Sequence, residues 1–328
     1  MIPSFRDHRT RQLFLSYAKD WVLIIALILA FFSLDILEPF HRQFSLTDKS
    51  LMYPYAEHEK VPTGLLVVVC FIVPLVVISC IALLIQKSPF DLHNGVMGLL
   101  LSLALTIMVT EVVKLSVGRP RPDFLDRCKP IPGSVDPPLG LSNSTICMPT
   151  DKYILSDGFK SFPSGHSSMS FGGLAYLSFY LAGKLHVFDR RGHTYKGFIF
   201  ALPMVGAALI AISRTEDYRH HWQDVTFGGI IGVVFAYFSY HQYYPSLRHQ
   251  ESHKPFSPRI ARLSDSDRVS TAEQALTADF DLPSNSPSRD GSLATDLESV
   301  RIDHSGNARR GDQSTAGHQL PSATDLNE

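Results

Sequence analysis

The sequence predicts an all-α integral membrane protein: a bundle of six membrane-crossing helices followed by a disordered C-terminal tail. Three observations predict it. Apolar segments fall at about 21–39, 64–86, 94–113, 167–183, 197–213 and 225–242, and about 20 such residues make a helix long enough to cross a bilayer. Beyond His249 the composition turns to Ser, Asp, Arg, Thr and Pro, too polar to bury a core. Three short motifs rich in cations and imidazoles sit where apolar runs meet polar loops, and charge beside hydrocarbon is costly unless it has a function. The expected organisation is a cytosolic segment over 1–20, a membrane domain over 21–245 and a cytosolic tail over 246–328.

The first apolar segment follows charges that run to Asp20, with no small-residue cleavage site after it, so it reads as a retained helix and not a signal peptide. It carries Asp35 near its end. The second has no charge over 65–85, and Pro74 is expected to kink it. Cys70 and Cys80 within it read as small buried side chains. The third carries Glu111 and Lys114 three residues apart, on one helical face as partners. The last three contain Gly172, Gly173, Gly206, Gly228, Gly229 and Gly232, which lets helices pack closely. The run YFSYHQYY closing the sixth reads as an interfacial aromatic belt.

Six crossings put both termini on one side of the membrane and bring the 114–165 and 214–224 loops together on the other. Lysines and arginines occur on both faces, so charge asymmetry does not orient the chain. The longer loop also holds Cys128, Cys147 and the glycosylation sequon at Asn143. A Cys128–Cys147 disulfide and an Asn143 glycan both require a lumenal or extracellular face.

The motifs are KLSVGRPRP from Lys114, PSGH from Pro163 and SRTEDYRHHWQD from Ser213. His220 and Asp224, four apart at the start of the sixth helix, share a face, so the carboxylate can accept a hydrogen bond from the imidazole. That leaves the other ring nitrogen with a lone pair for attack on phosphorus. An ordinary alternative is a helix start with Asp224 as a cap, and His221 competes with His220. Arg214, elsewhere a snorkelling arginine, reaches the same phosphate with a planar fork. In PSGH, Ser164 caps a helix, Gly165 permits close backbone approach, and helix-start amides bind anions. His166 beside them is placed to protonate a leaving alkoxide. Lys114 and an arginine complete the set, and spacing does not separate Arg119 from Arg121. Zinc on His166, His220, His221 and Asp224 is the chemical competitor. Nearby cations repel a metal and supply its charge stabilisation, so the site reads as free of metal and cofactor.

Together the motifs resemble the signature of the type 2 phosphatidic acid phosphatase superfamily, the lipid phosphate phosphatases: K-x6-RP, PSGH and SR-x5-H-x3-D. The stretches EPFHRQFSL, GRPRPDFLDRC and DGFKSFPSGHSS look most like its diacylglycerol pyrophosphate phosphatase branch, over about residues 15–245. The resemblance selects Arg121 over Arg119 and His220 over His221. It implies metal-independent hydrolysis of diacylglycerol pyrophosphate, phosphatidate and lysophosphatidate at a site facing away from the cytosol. His220 is then the nucleophile, Asp224 its orienting carboxylate and His166 the general acid. Lys114, Arg121, Ser164, Gly165 and Arg214 hold the phosphate. The expected partners are a lipid phosphate and the membrane of the endomembrane system (vacuole, ER or Golgi) or the cell surface. A homo-oligomer stays open, and nucleic acid is not expected of a chain with net charge −1. Phosphotransfer to another alcohol, and phospholipid transport without cleavage, are the other functions these residues allow. Ser257-Pro258 and Ser286-Pro287 are candidate phosphorylation sites in the tail.

Overall fold

The structure, a computed structural model, describes residues 8–148, 151–189 and 191–259. Six long helices stand on the six apolar segments, and among the described residues there is no strand. They are α1 (His8–Asp35), α2 (Thr63–Ile85), α3 (Pro89–Val117), α6 (Gly165–Leu185), α7 (Thr194–Glu216) and α8 (Trp222–Tyr243). Two short helices, α4 (Phe124–Cys128) and α5 (Lys152–Gly158), lie in the long loop between α3 and α6.

The helices differ in what they face. α6 packs against α8, α7 and α3, and α1 packs on α3. Among the described residues four helices are long and apolar enough to cross a membrane: α1 over Leu15–Asp35, α2, α3 and α7. Their outer faces expose large apolar side chains such as Val22, Leu84, Phe198 and Leu202, the surface a bilayer solvates. The central helix α6 buries Ser167, Ser168, Ser170, Gly172, Gly173 and Ser178. A helix lined by other helices needs small residues for close approach and not a hydrocarbon-like exterior, so α6 and α8 are less apolar than the rest.

Pro74 lacks an N–H to close an α-helical turn. The second helix passes it with a π turn at Val68–Ile72, then resumes as α-helix over Val73–Cys80. Cys70 is buried, but Cys80 is exposed on the outer side of α2, a correction to the expectation for that residue.

At one end of the bundle Lys184 of α6 donates to Asp91 of α3 across 2.5 Å, with both side chains buried. Tyr180 and Tyr244 donate to the same carboxylate at 3.0 and 2.9 Å. The polar stretch after Tyr244 returns here: His253 O accepts from Lys184 at 2.6 Å, and Arg259 pairs with Asp20 at 2.5 Å. Part of the stretch expected as disordered tail, at His253 and Arg259, therefore lies against the helices, while Ser257-Pro258 is exposed. Ser286-Pro287 lies outside the described residues.

At the other end the loops form a cap with its own apolar centre of Phe44, Leu51, Phe124, Cys128 and Phe159. Cys128 and Cys147 are joined as a disulfide. Asp136 ties the two loops by accepting from Ser45 and Ser142, each at 2.6 Å. Asn143 is exposed on this cap.

Candidate active site

The cap turns the chain ends of α3, α6, α7 and α8 toward one another. Helix α3 stops at Gly118, which takes a left-handed conformation (φ 56°). A side chain there would meet the carbonyl oxygen of Phe40 at 1.6 Å, so glycine is required for both reasons. Lys114 is in the last turn before that stop. Ser164 caps α6, its Oγ accepting from the Ser167 N–H, and its own N–H donates to Asp224 O at 3.0 Å. A methyl group on Gly165 would lie 3.1 Å from Lys114 Nζ. The lysine amine therefore sits directly over the start of α6, where free amides and the helix dipole favour an anion.

Lys114, Arg121, Gly165, His166, Arg214 and His220 all line one cavity of about 480 Å³. Phe31, Leu66, Ile107 and Met169 give it an apolar wall between helices. Arg119 and His221 line a separate cavity of about 490 Å³. The two pairs that spacing alone did not separate are thus divided between two cavities, with Asp224 between them.

Asp224 differs from its expected contact. Its Oδ2 is 3.9 Å from His220 Nδ1, too far for a hydrogen bond. The helical register assumed for the pair fails because α8 begins at Trp222, with His221 as its N-cap and His220 still in the loop. Asp224 instead completes a capping box, accepting from the His221 N–H at 2.9 Å. It also accepts from Ser161 Oγ at 2.6 Å and from Arg119 at 2.6 Å. Ser161 then links the two residues: its carbonyl oxygen lies 2.7 Å from His220 Nδ1. A carbonyl only accepts, so Nδ1 carries the proton and Nε2 the lone pair. Burial, then the charges of Arg121 and Lys114, hold the His220 imidazole well below its ordinary pKa, so it is neutral.

The cations are held by acids. Arg121 donates to Asp157 O and Oδ1, each at 2.8 Å, and Arg127 donates to Asp157 Oδ2 at 2.9 Å. Burial alone would raise the Asp157 carboxyl, but Arg121, Arg127, Arg219 and Lys114 outweigh it and hold it at about 2. Lys114 pairs with Glu111 at 3.2 Å. Arg214 is buried, donating to Asp217 at 2.8 Å and to Glu59 at 2.8 Å. His166 Nε2 lies 3.1 Å from the carbonyl oxygen of Val61.

Among the cavity residues given no role in the three-motif reading are Tyr55, Glu59, Arg127, Asp157 and Arg219. Arg127 and Arg219 each stack over the Tyr55 ring, 4.6 Å from its centre. Asp157 and Arg219 stand within quoted stretches, but nothing in their spacing marks a role. Tyr55 and Glu59 come from the loop before α2, which carries no motif. Among the described residues no group of three or more His, Cys, Asp or Glu side chains is placed to hold a metal ion.

Fold and site together define a helical membrane protein with a cationic, imidazole-bearing cup at one end of its bundle. The chain belongs to the PAP2 superfamily, which it matches over residues 95–248. It is 42% identical over 232 residues to lipid phosphate phosphatase 2 of Arabidopsis thaliana, covering 70% of this chain and 78% of the relative. It is 38% identical over 262 residues to diacylglycerol pyrophosphate phosphatase 1 of Saccharomyces cerevisiae, covering 79% and 88%. No solved structure gives a significant match.

Proposed function

We propose that the protein is a lipid phosphate phosphatase acting on diacylglycerol pyrophosphate, phosphatidate and related lipid monoesters through a phosphohistidine. The observation that carries this reading is the meeting of Lys114, Arg121, Arg214, His166 and His220 in one cavity with an apolar wall. The acyl chains lie along that wall while the phosphate sits under the cations and the first amides of α6. Neutral His220 attacks phosphorus through Nε2. The bond to the leaving oxygen breaks, and protonated His166 gives that oxygen its proton. Water then attacks the phosphohistidine, its proton passes to His166, and inorganic phosphate leaves with His220 neutral again. The guanidinium and ammonium groups stabilise charge on the equatorial oxygens, the part a divalent ion plays in other phosphoryl transfers. Ser161 and Asp224 are positioning residues.

In this reading the chain crosses the bilayer six times, with cap and site on the lumenal or extracellular side of an endomembrane or the cell surface. The six long helices, the Cys128–Cys147 disulfide in the cap and the exposed sequon at Asn143 support it.

The test is phosphate release by the purified protein in excess EDTA, with pyrophosphorylated, monophosphorylated and lyso lipids. Release is expected in EDTA and its loss in His220→Ala, with folding unchanged. No release from any lipid overturns the function; near-normal release by His220→Ala overturns the nucleophile.

A further inference from the structure

The loop before α2 lies across the cavity as a strap from Tyr53 to Val61. The Tyr53 N–H donates to Pro122 O at 3.1 Å, and the Lys60 N–H donates to Asp217 at 3.0 Å. Ala56 O accepts from Arg219 at 2.9 Å, and Val61 O faces His166 at 3.1 Å. Tyr53 also stacks on Tyr218, ring centres 4.4 Å apart. The strap thus touches residues in or beside each of the three motifs.

Glu59 sits in this strap with its carboxylate among the groups a phosphate needs. Its Oε2 is 2.8 Å from Arg214 Nη1 and 3.7 Å from His166 Nε2. Its Oε1 is 3.3 Å from Arg219 Nη2. Nε and Nη2 of Arg214 are engaged by Ser213 and Asp217. Nη1 is therefore the nitrogen left for a substrate oxygen, and Glu59 holds it. Arg219, itself buried and lining the cavity, has an Nε with no hydrogen-bond partner. A buried donor left unmade is costly, and here it lies beside a carboxylate engaged elsewhere.

We propose that Glu59 is a resident competitor for the phosphate position and sets substrate preference by head-group charge. The proposal rests on the lipid phosphate reading above. Carboxylate and phosphate oxygens are both anionic acceptors, and two anions do not share a site without repulsion. A phosphate reaching Arg214 must displace Glu59 from Nη1, a cost common to every substrate. A monoester stops there and leaves Glu59 paired with Arg219. A pyrophosphorylated head group carries more charge and brings a second phosphate toward Arg219, so it breaks that pair as well and meets the carboxylate's charge more strongly. Glu59 therefore penalises diacylglycerol pyrophosphate more than phosphatidate.

The experiment compares the wild type with Glu59→Gln, which keeps the shape and removes the charge. In mixed micelles, KM for phosphatidate is expected to fall about three- to fivefold, the size of a partly exposed ion pair. KM for diacylglycerol pyrophosphate falls more, so the ratio of the two KM values shifts in favour of the pyrophosphorylated lipid. Glu59→Asp, its carboxylate drawn back by one methylene, shifts both values the same way by less, and it serves if Glu59→Gln does not fold. Inorganic phosphate binding, read as the rise in unfolding temperature, is expected to tighten by a similar factor, also in a His220→Ala background. That arm needs no turnover, so it separates failure of this proposal from failure of the lipid phosphatase reading. Unchanged or weaker phosphate binding in Glu59→Gln overturns the proposal, as does an equal change in KM for both lipids.

Discussion

His220 donates its Nδ1 proton to the carbonyl of Ser161 across 2.7 Å, while the hydroxyl of the same serine donates to Asp224 across 2.6 Å. The carboxylate thus orients the imidazole through an intermediate residue whose backbone and side chain point to different partners. Losing Asp224 frees Arg119 and the His221 N–H as well as the Ser161 hydroxyl, whereas losing that hydroxyl removes only one of the contacts to Asp224.

For this relay, Asp224→Asn is expected to lower kcat by more than about tenfold with little change in KM, the signature of an interaction that matters in the transition state. Ser161→Ala lowers kcat by less. The double variant is less than additive, because both changes act on one chain of contacts. Additive losses, or an effect confined to KM, would sink the relay.

The depressed pKa of His220 sets the acid side of the pH profile. In the proposed mechanism the neutral form attacks, so activity is expected to fall as pH drops through the folded-state value, which lies well below 6.5. His166 is the proton donor in the same proposed mechanism, and its loss of a proton limits the reaction on the alkaline side. Measured kcat/KM against pH is expected to be bell-shaped, with the alkaline limb missing in His166→Ala. An acid limb near 6.5 in the free enzyme contradicts the burial argument. Stability carries the same sign. Unfolded His220 takes up a proton below about 6.5 and folded His220 does not, so its contribution to stability declines as pH drops below that value.

Asp157 holds three guanidinium groups, and Asp157→Asn leaves them facing one another. A loss of about 2 kcal/mol or more is expected, moderated because this carboxylate is 25% exposed. Its stabilisation is present above the ordinary Asp range and fades as pH falls toward about 2. Thermal unfolding in detergent measures both. Inorganic phosphate is expected to stabilise the variant more than the wild type, since the anion replaces the lost charge; equal stabilisation would contradict this.

The Asp91–Lys184 pair at the far end separates stability from chemistry. Removing one partner, as in Asp91→Asn, strands a buried charge and costs about 3–5 kcal/mol. Activity per folded molecule at low temperature is expected to stay at the wild-type level. A fall in kcat with no fall in unfolding temperature would show that this end is coupled to the site.

Local pattern reached some features and not others. Lys114, Gly118 and the cap at Ser164 follow from helix ends, and helix ends announce themselves in neighbouring residues. The position of Asp224 was legible, but its contact was not, because α8 begins at Trp222 and leaves His220 off the helix. The strap was not legible at all. Glu59 reaches Arg214 across 155 positions, and a loop contact at that distance leaves no period and no spacing in the chain. The segments at 167–183 and 225–242 read as crossings because they are apolar, yet α6 and α8 do not reach the length and apolarity that the other four long helices meet.

That weakness of α6 bears on how the protein is made. A nascent segment with buried serines and glycines along its length is a poor passenger for a membrane on its own, since its hydroxyls would face acyl chains. In the proposed six-crossing arrangement it enters stably once α3, α7 and α8 are at hand to cover it. The centre of the bundle is then expected to be completed late, after α8 has been synthesised. A ribosome stalled before that point should leave α6 accessible to water-borne labelling reagents.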